Sequence, residues 1–357
     1  MPTIRPSSGS APAMPTGSGS PRVTILGIGQ MGLVCAGILA AGSGASVVMW
    51  GHDPDERGRL SQTRKSAKLP GFALPDQVRV ALSDDEAIGG AQYIVSAIPV
   101  QFMRSVWGRL APLVAPRCAA ISVAKGIENG TLMRPTEIMA ESLSEQSAPR
   151  HHALAVLAGP TIASELARCL PATMLAASDD AALARDLQRL FTTQWLRIYT
   201  HADVVGVELA GAVKNVIAIA AGIIDGLGAG YNAKSALLSR GLAEIVRLGG
   251  AMGAGQETFF GIAGVGDLAT SCFSPEGRNR SCGEALGKGE RLDVYLKRTP
   301  FVVEGVATTR SVVEMAERLG VDMPIVEAVN DVLFEGVDPI DAIGKLMSRE
   351  PKGERIG

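Results

Sequence analysis

The stretch Val204–Gly228, VVGVELAGAVKNVIAIAAGIIDGLG, places one lysine near the middle of about seven turns of small or apolar residues. A helix that is apolar nearly all round is buried on most sides, and an ammonium withdrawn from water either finds partners or loses its proton. Lys214 is therefore a candidate working group. A membrane span competes with that reading, but Glu208, Lys214 and Asn215 stand in its first half and centre, and a central lysine alone costs roughly 2.5–3.5 kcal/mol of insertion. A plain ion pair with Glu208 is disfavoured, because residues six apart on a helix lie on different faces. Snorkelling of Lys214 to the surface is the remaining bland alternative. Ala210 and Gly211, one turn earlier on the lysine's face, leave open space beside its stem, as a ligand pocket requires.

A chain of 357 residues is long enough for two domains, and 46% hydrophobic with 20% charged residues is a globular composition. A net charge of −2 gives no general attraction to nucleic acid or anionic lipid, so phosphate recognition has to be local and the partner small. Five cysteines without a CxxC pair fit reduced thiols in a cytosol. His151 and His152 are adjacent and lack a spaced partner, so no metal site is expected. Residues 1–20 are mostly Ser, Gly, Pro and Ala without an apolar core, which predicts a disordered tail rather than a signal peptide.

Arg22–Gly32, RVTILGIGQMG, is a β-branched run followed by Gly27-x-Gly29-x-x-Gly32 and then the apolar pattern LVCAGILA. This is the dinucleotide fingerprint between the strand and the helix it requires. Gly27 permits the tight turn, Gly29 lets the backbone approach a pyrophosphate, and Gly32 lets helix and strand pack closely. The next run, SVVMW, ends at Trp50, where an NAD-selective chain usually presents an acidic residue to the ribose 2′-hydroxyl. Here Gly51-His52-Asp53 follows, so NAD and NADP both stay open: His52 beside a 2′-phosphate, or Asp53 beside a 2′-hydroxyl.

Further apolar runs at Tyr93–Pro99, Ala119–Gly126, Leu154–Gly159 and Thr173–Ala177 alternate with helical stretches, which predicts a parallel, doubly wound sheet. Ligands bind beyond the carboxyl ends of such strands, where Lys125 and Gly159-Pro160-Thr161 stand. After Asp203 the patterns are helical: Ala236–Leu248, Val312–Leu319, Ile325–Leu333 and Ala342–Met347. The expected division is 21–203 for the dinucleotide and 204–350 for a helical substrate and catalytic domain. Between the helical patterns, GIAGVGDLATSCFSPEGRNRSCGEALG reads as a polar, glycine-rich insertion. Its Arg278, Asn279 and Arg280 form a compact set of planar donors suited to phosphate or carboxylate.

GxGxxG, WGHDP, AKGIE (Ala124–Glu128), AGPTIASE (Ala158–Glu165), GAVKNVIAIAAG (Gly211–Gly222), AGVGDL (Ala263–Leu268), GRNR (Gly277–Arg280) and VVEG (Val302–Gly305) occur in this order. With them the chain resembles the NAD(P)-dependent glycerol-3-phosphate dehydrogenases of the soluble bacterial type, from Arg22 to Met347. The resemblance implies a Rossmann-like α/β domain followed by an all-α domain like that of 6-phosphogluconate dehydrogenase. It implies reversible reduction of dihydroxyacetone phosphate to sn-glycerol 3-phosphate with NADPH or NADH, supplying glycerophospholipid synthesis, in a cytoplasmic homodimer. Lys214 then corresponds to the proton donor and acceptor, Lys125 to a residue touching cofactor and substrate, and Asp267 to the group that orients the ammonium or binds a substrate hydroxyl. Gly159, Thr161, Asn215, Gly277, Arg278 and Asn279 fall on the substrate side. Gly27, Gly29, Gln30, Met31, Gly32, His52, Ala163, Val302 and Glu304 fall on the cofactor side, which Arg278 also reaches. Like-charge repulsion from Lys125 within an apolar pocket is expected to help hold the Lys214 pKa towards neutrality.

Two departures stand out. Gly277 replaces a serine common before the Arg-Asn pair, and Gln30-Met31 replaces an aromatic-containing pair. A β-hydroxyacid dehydrogenase also suits GIGQMG and a lysine–asparagine helix, but AGPTIASE and GRNR are not expected there. A dinucleotide sensor without turnover would need neither the buried Lys214 nor Lys125.

Overall fold

The computed structural model describes residues 20–144, 152–351 and 353. Residues 1–19 of the expected tail, and His151, lie outside the described residues. Eight strands form one sheet: β1 Arg22–Leu26, β2 Ser46–Trp50, β3 Arg79–Val80, β4 Tyr93–Ser96, β5 Ala119–Ser122, β6 Leu154–Ala158, β7 Ala172–Ala177 and β8 Leu196–His201. Their spatial order is β3-β2-β1-β4-β5-β6-β7-β8. β1, β2, β4, β5 and β6 are nearly continuous apolar runs, buried on both faces, so helices must cover both sides of the sheet. The strand order reverses between β1 and β4, and at such a switch point a crevice opens beyond the carboxyl ends.

The sheet is not parallel throughout. β7 runs antiparallel to β6, with Val156 opposite Ala177. A parallel return needs a crossover that spans the sheet, usually on a full helix, whereas the connection 159–171 holds only the five-residue helix Ala163–Ala167. After helix Ala181–Phe191 the chain rejoins in parallel as β8, an edge strand whose alternation of buried and exposed residues lacks the continuous apolar run of the inner strands.

From Val204 onward the described residues form helices. The helix Val204–Gly226 is the axis: Gly230–Ala251, Arg278–Gly287, Glu304–Leu319 and Pro324–Phe334 pack against it. It is long and apolar enough to cross a membrane, yet 89% of its most apolar window is buried inside the protein, so it is a core helix. The four helical patterns expected in this half fall within Gly230–Ala251, Glu304–Leu319, Pro324–Phe334 and Pro339–Met347.

The glycine-rich insertion is itself helical, with a π-helical turn Ile262–Gly266 leading into Asp267–Phe273 and then Arg278–Gly287. Its Gly283 and Gly287 serve close helix packing rather than loops. A Cβ on Gly222 would stand 1.9 Å from the Arg280 carbonyl oxygen, and one on Gly283 would stand 1.9 Å from that of Ile219. The two backbones therefore touch, which brings the first turn of Arg278–Gly287 against the central helix. Glu208 pairs across the fold, not along its own helix. Its carboxylate accepts from Arg134 Nη1 at 2.6 Å, Thr136 N at 2.8 Å and Thr136 Oγ1 at 2.6 Å, tying helix Pro135–Ser144 to the axis.

Candidate active site

At the switch point, Gly27 has φ 115°, and a Cβ there would meet the Ala97 carbonyl oxygen at 2.6 Å. A Cβ on Gly32 would stand 2.0 Å from the Gly27 carbonyl oxygen, so only glycine lets the helix close on the turn. Gly29, by contrast, faces open space, and the helix Gln30–Gly42 that it introduces has no side-chain cap. Free N–H groups at a helix start beneath an open glycine suit the pyrophosphate of a dinucleotide. Gln30 and Met31 lie half-buried in that first turn.

Where β2 ends, the buried Trp50 indole donates to Asp84 Oδ1 at 3.1 Å, with Arg57 and Arg109 over its ring. The strand itself ends without an acidic residue, and the Asp84 carboxylate is engaged by the Trp50 indole and by Arg109 Nε at 3.1 Å. Asp53 turns to its own helix: its Oδ1 accepts from Asp55 N at 2.9 Å and Glu56 N at 3.3 Å, capping Pro54–Thr63. His52 is exposed beside it.

Three charged groups meet beyond β5 and β6. Lys214 Nζ donates to Asp267 Oδ1 at 2.8 Å and to Ser271 Oγ at 2.6 Å. Lys125 Nζ donates to Asp267 Oδ2 at 2.5 Å and to the Gly159 carbonyl oxygen at 3.0 Å. Lys214 is 6% exposed and Asp267 1%, so neither reaches bulk water and snorkelling is excluded. Burial pushes the Lys214 ammonium down to about 8; Asp267 pulls it up and Lys125 adds to the lowering. The expected help from Lys125 repulsion is thus present and ranks below burial. Burial disfavours the Asp267 carboxylate too, but the two ammoniums overcome it and hold its pKa below the ordinary value. The space expected beside Lys214 at Gly211 is filled: a Cβ there would lie 3.5 Å from Lys125 Cγ. Gly211 makes room for the second lysine.

An asparagine ladder borders the pair. Asn215 Nδ2 donates to the Lys125 carbonyl oxygen at 3.2 Å, Asn279 Nδ2 donates to Asn215 Oδ1 at 2.9 Å, and Gly305 N donates to Asn279 Oδ1 at 2.9 Å. Thr161 Oγ1 donates to the Gly159 carbonyl oxygen at 3.2 Å, and the half-buried Ala163 opens the short helix Ala163–Ala167 that follows. Arg278 is exposed, and among the described residues no hydrogen bond or ion pair engages it. Burial pushes the Glu304 carboxyl up against the pull of Arg278, Lys125 and Lys214, and Val302 beside it is exposed.

The family model described as NAD-dependent glycerol-3-phosphate dehydrogenase N-terminus matches residues 22–184, and its C-terminus counterpart matches 203–344. The chain belongs to this family. Glycerol-3-phosphate dehydrogenase [NAD(P)+] of Prosthecochloris aestuarii is 44% identical over 333 residues, covering 93% of this chain and 99% of the relative. The same-named protein of Geobacillus kaustophilus is 43% identical over 335 residues, with 93% and 96% covered. A crystal structure of glycerol-3-phosphate dehydrogenase from Coxiella burnetii superposes with a TM-score of 0.88 at 32% identity, covering 92% of this chain and 99% of that one.

Against the pattern of glycerol-3-phosphate dehydrogenases, Gly277 is the N-cap of helix Arg278–Gly287 and provides no side-chain cap. Ser271 was not anticipated as a site residue. It lies four residues after Asp267 on one helix, hence on the same face, and that spacing was the available signal.

Proposed function

We propose that the chain catalyses the reversible NAD(P)H-dependent reduction of dihydroxyacetone phosphate to sn-glycerol 3-phosphate, with Lys214 as proton donor and acceptor. The observation that carries this is one buried carboxylate, Asp267, shared by two ammoniums in a chain that matches its relatives over nearly their whole length. The nicotinamide supplies or receives a hydride when bound. Each lysine has three N–H donors: Lys214 engages Asp267 and Ser271, and Lys125 engages Asp267 and Gly159. One donor on each is left for the carbonyl oxygen of the substrate, where negative charge develops. A pKa of about 8 keeps Lys214 charged at neutral pH while easing proton release, and the neutral amine serves as base in the oxidative direction.

Arg278 is assigned to the phosphate, as an exposed planar fork of donors without a hydrogen bond or ion pair among the described residues. NADPH is the preferred cofactor in this reading, because Asp53 is committed to a helix cap and His52 is exposed beside it. The product is the backbone of glycerophospholipids, and supplying their synthesis belongs to the proposal. So does a division at 203/204, supported by the last strand ending at His201. A cytosolic location is supported by five free cysteines, and a homodimer by exposed apolar side chains such as Tyr231, Val294 and Met347 on the helical half. Parallel steady-state assays of dihydroxyacetone phosphate with NADPH and NADH test the reading. Turnover with both and a higher kcat/KM for NADPH is expected. Absence of nicotinamide oxidation would overturn the activity, and a higher value for NADH would overturn the preference.

A further inference from the structure

The segment that carries Lys125 has no helix or strand between Ser122 and Pro135, so its backbone groups need partners from elsewhere. The carbonyl oxygen of the buried Ile127 accepts from Gln101 Nε2 at 2.8 Å and from Ser311 Oγ at 3.1 Å. The other end of the same amide, Gln101 Oε1, accepts from Asn129 N at 3.1 Å. Between these anchors and Lys125 stands Gly126, where a Cβ would meet Thr308 Oγ1 at 2.9 Å and Val100 Cγ2 at 3.3 Å. Helix Val100–Leu110 from the sheet half and helix Glu304–Leu319 from the helical half thus grip the segment from two sides.

We infer that Gln101 is a positioning residue for Lys125: its amide bridges Ile127 and Asn129 and thereby holds the Lys125 ammonium in register with Asp267 and Lys214. The inference rests on Lys125 being an active-site cation, as proposed above. A lysine side chain is flexible, so its backbone has to be held, and a misplacement of about 1 Å can cost on the order of 10²-fold in rate. Gln101 is the only side chain of helix Val100–Leu110 with hydrogen bonds to both Ile127 and Asn129 among the described residues.

The test is single-turnover oxidation of NADPH by dihydroxyacetone phosphate with the full chain in excess, which reads slow variants. Gln101→Ala should be slower by at least about 10-fold, with NADPH affinity and melting temperature near parental. In a Lys125→Ala background the same change should cost less than about 2-fold, because residues acting as a unit are not additive. Gln101→Glu keeps an acceptor for Asn129 N but loses the donor to Ile127. It should be as slow as Gln101→Ala, and it serves if the alanine variant does not fold. Equal fold losses in both backgrounds would make Gln101 merely structural and overturn the inference, as would a parental rate for Gln101→Ala and Gln101→Glu. A parental rate for Lys125→Ala would overturn the reading of Lys125 and the inference together. A slow Lys125→Ala beside a parental Gln101→Ala would reject the positioning role alone.

Discussion

The fingerprint turn and the lysine centre both offer donors to an anionic or electron-rich guest, and they are built in opposite ways. The turn uses backbone N–H groups at the start of helix Gln30–Gly42, with Gly27 and Gly32 where any Cβ would collide and Gly29 open to the guest. The centre uses side-chain ammoniums held in low dielectric by one carboxylate. Damage to the first should appear as lost cofactor binding, and damage to the second as lost chemistry. Lys214→Ala is the largest expected effect: turnover falls by about 10²–10⁴-fold while NADPH still binds and the protein stays folded. Activity within about tenfold of the parent, measured at saturating substrate, would erase the distinction.

Gly32→Ala should do the reverse. Its Cβ would stand 2.0 Å from the Gly27 carbonyl oxygen, so the turn must move. NADPH dissociation constants from fluorescence titration should rise at least about 10-fold, with a lower melting temperature, whereas Lys214→Ala leaves both in place. Unchanged NADPH affinity would mean that the turn is not the cradle.

The same contrast explains what the amino-acid sequence made legible. Gly27, Gly29 and Gly32 fall within six residues, and their geometry is local, so spacing alone pointed to the turn. Lys125 and Asp267 are 142 residues apart and Lys214 and Asp267 are 53 apart; only the fold joins them. Burial of Lys214 was readable from its apolar helix, but the identity of its partners came from family resemblance rather than from pattern. The antiparallel β7 was hidden because a run such as ATMLAA carries no mark of strand direction. Gly283 and Gly287 looked like loop residues because contact with a distant helix leaves no local trace.

Arg278 sharpens the comparison at a third level, that of charge with shape. Arg278→Lys should raise KM for dihydroxyacetone phosphate at least several-fold, and Arg278→Ala should also lower kcat, because binding energy from the remote phosphate helps position the carbonyl. An unphosphorylated ketone should be turned over poorly by the parent and lose little more in the mutant. Equal losses for both substrates, with KM unchanged, would show that the phosphate is held elsewhere. The smallest effect is expected for Gly277→Ser. Its Cβ would sit 3.2 Å from the Ser271 carbonyl oxygen, a tight fit, in return for a helix cap worth a few tenths of a kcal/mol over glycine. Melting temperature and KM should therefore both stay within a narrow margin of the parent; a large rise in KM would show that this turn is already optimised around glycine.

The central claim is that the buried Lys214 ammonium is the proton donor, tuned by burial, Asp267 and Lys125. The most direct measurement is the pH dependence of kcat/KM for ketone reduction, which follows the free enzyme's ionisations. Reduction needs the charged lysine, so the rate should fall as pH rises through about 8. Asp267 raises the Lys214 pKa and Lys125 lowers it, so Asp267→Asn should move this alkaline limb to lower pH and Lys125→Ala should move it to higher pH. Shifts in these opposite directions are the predicted result. A limb that stays in place in both variants, or moves the same way in both, would contradict the assignment of the proton to Lys214.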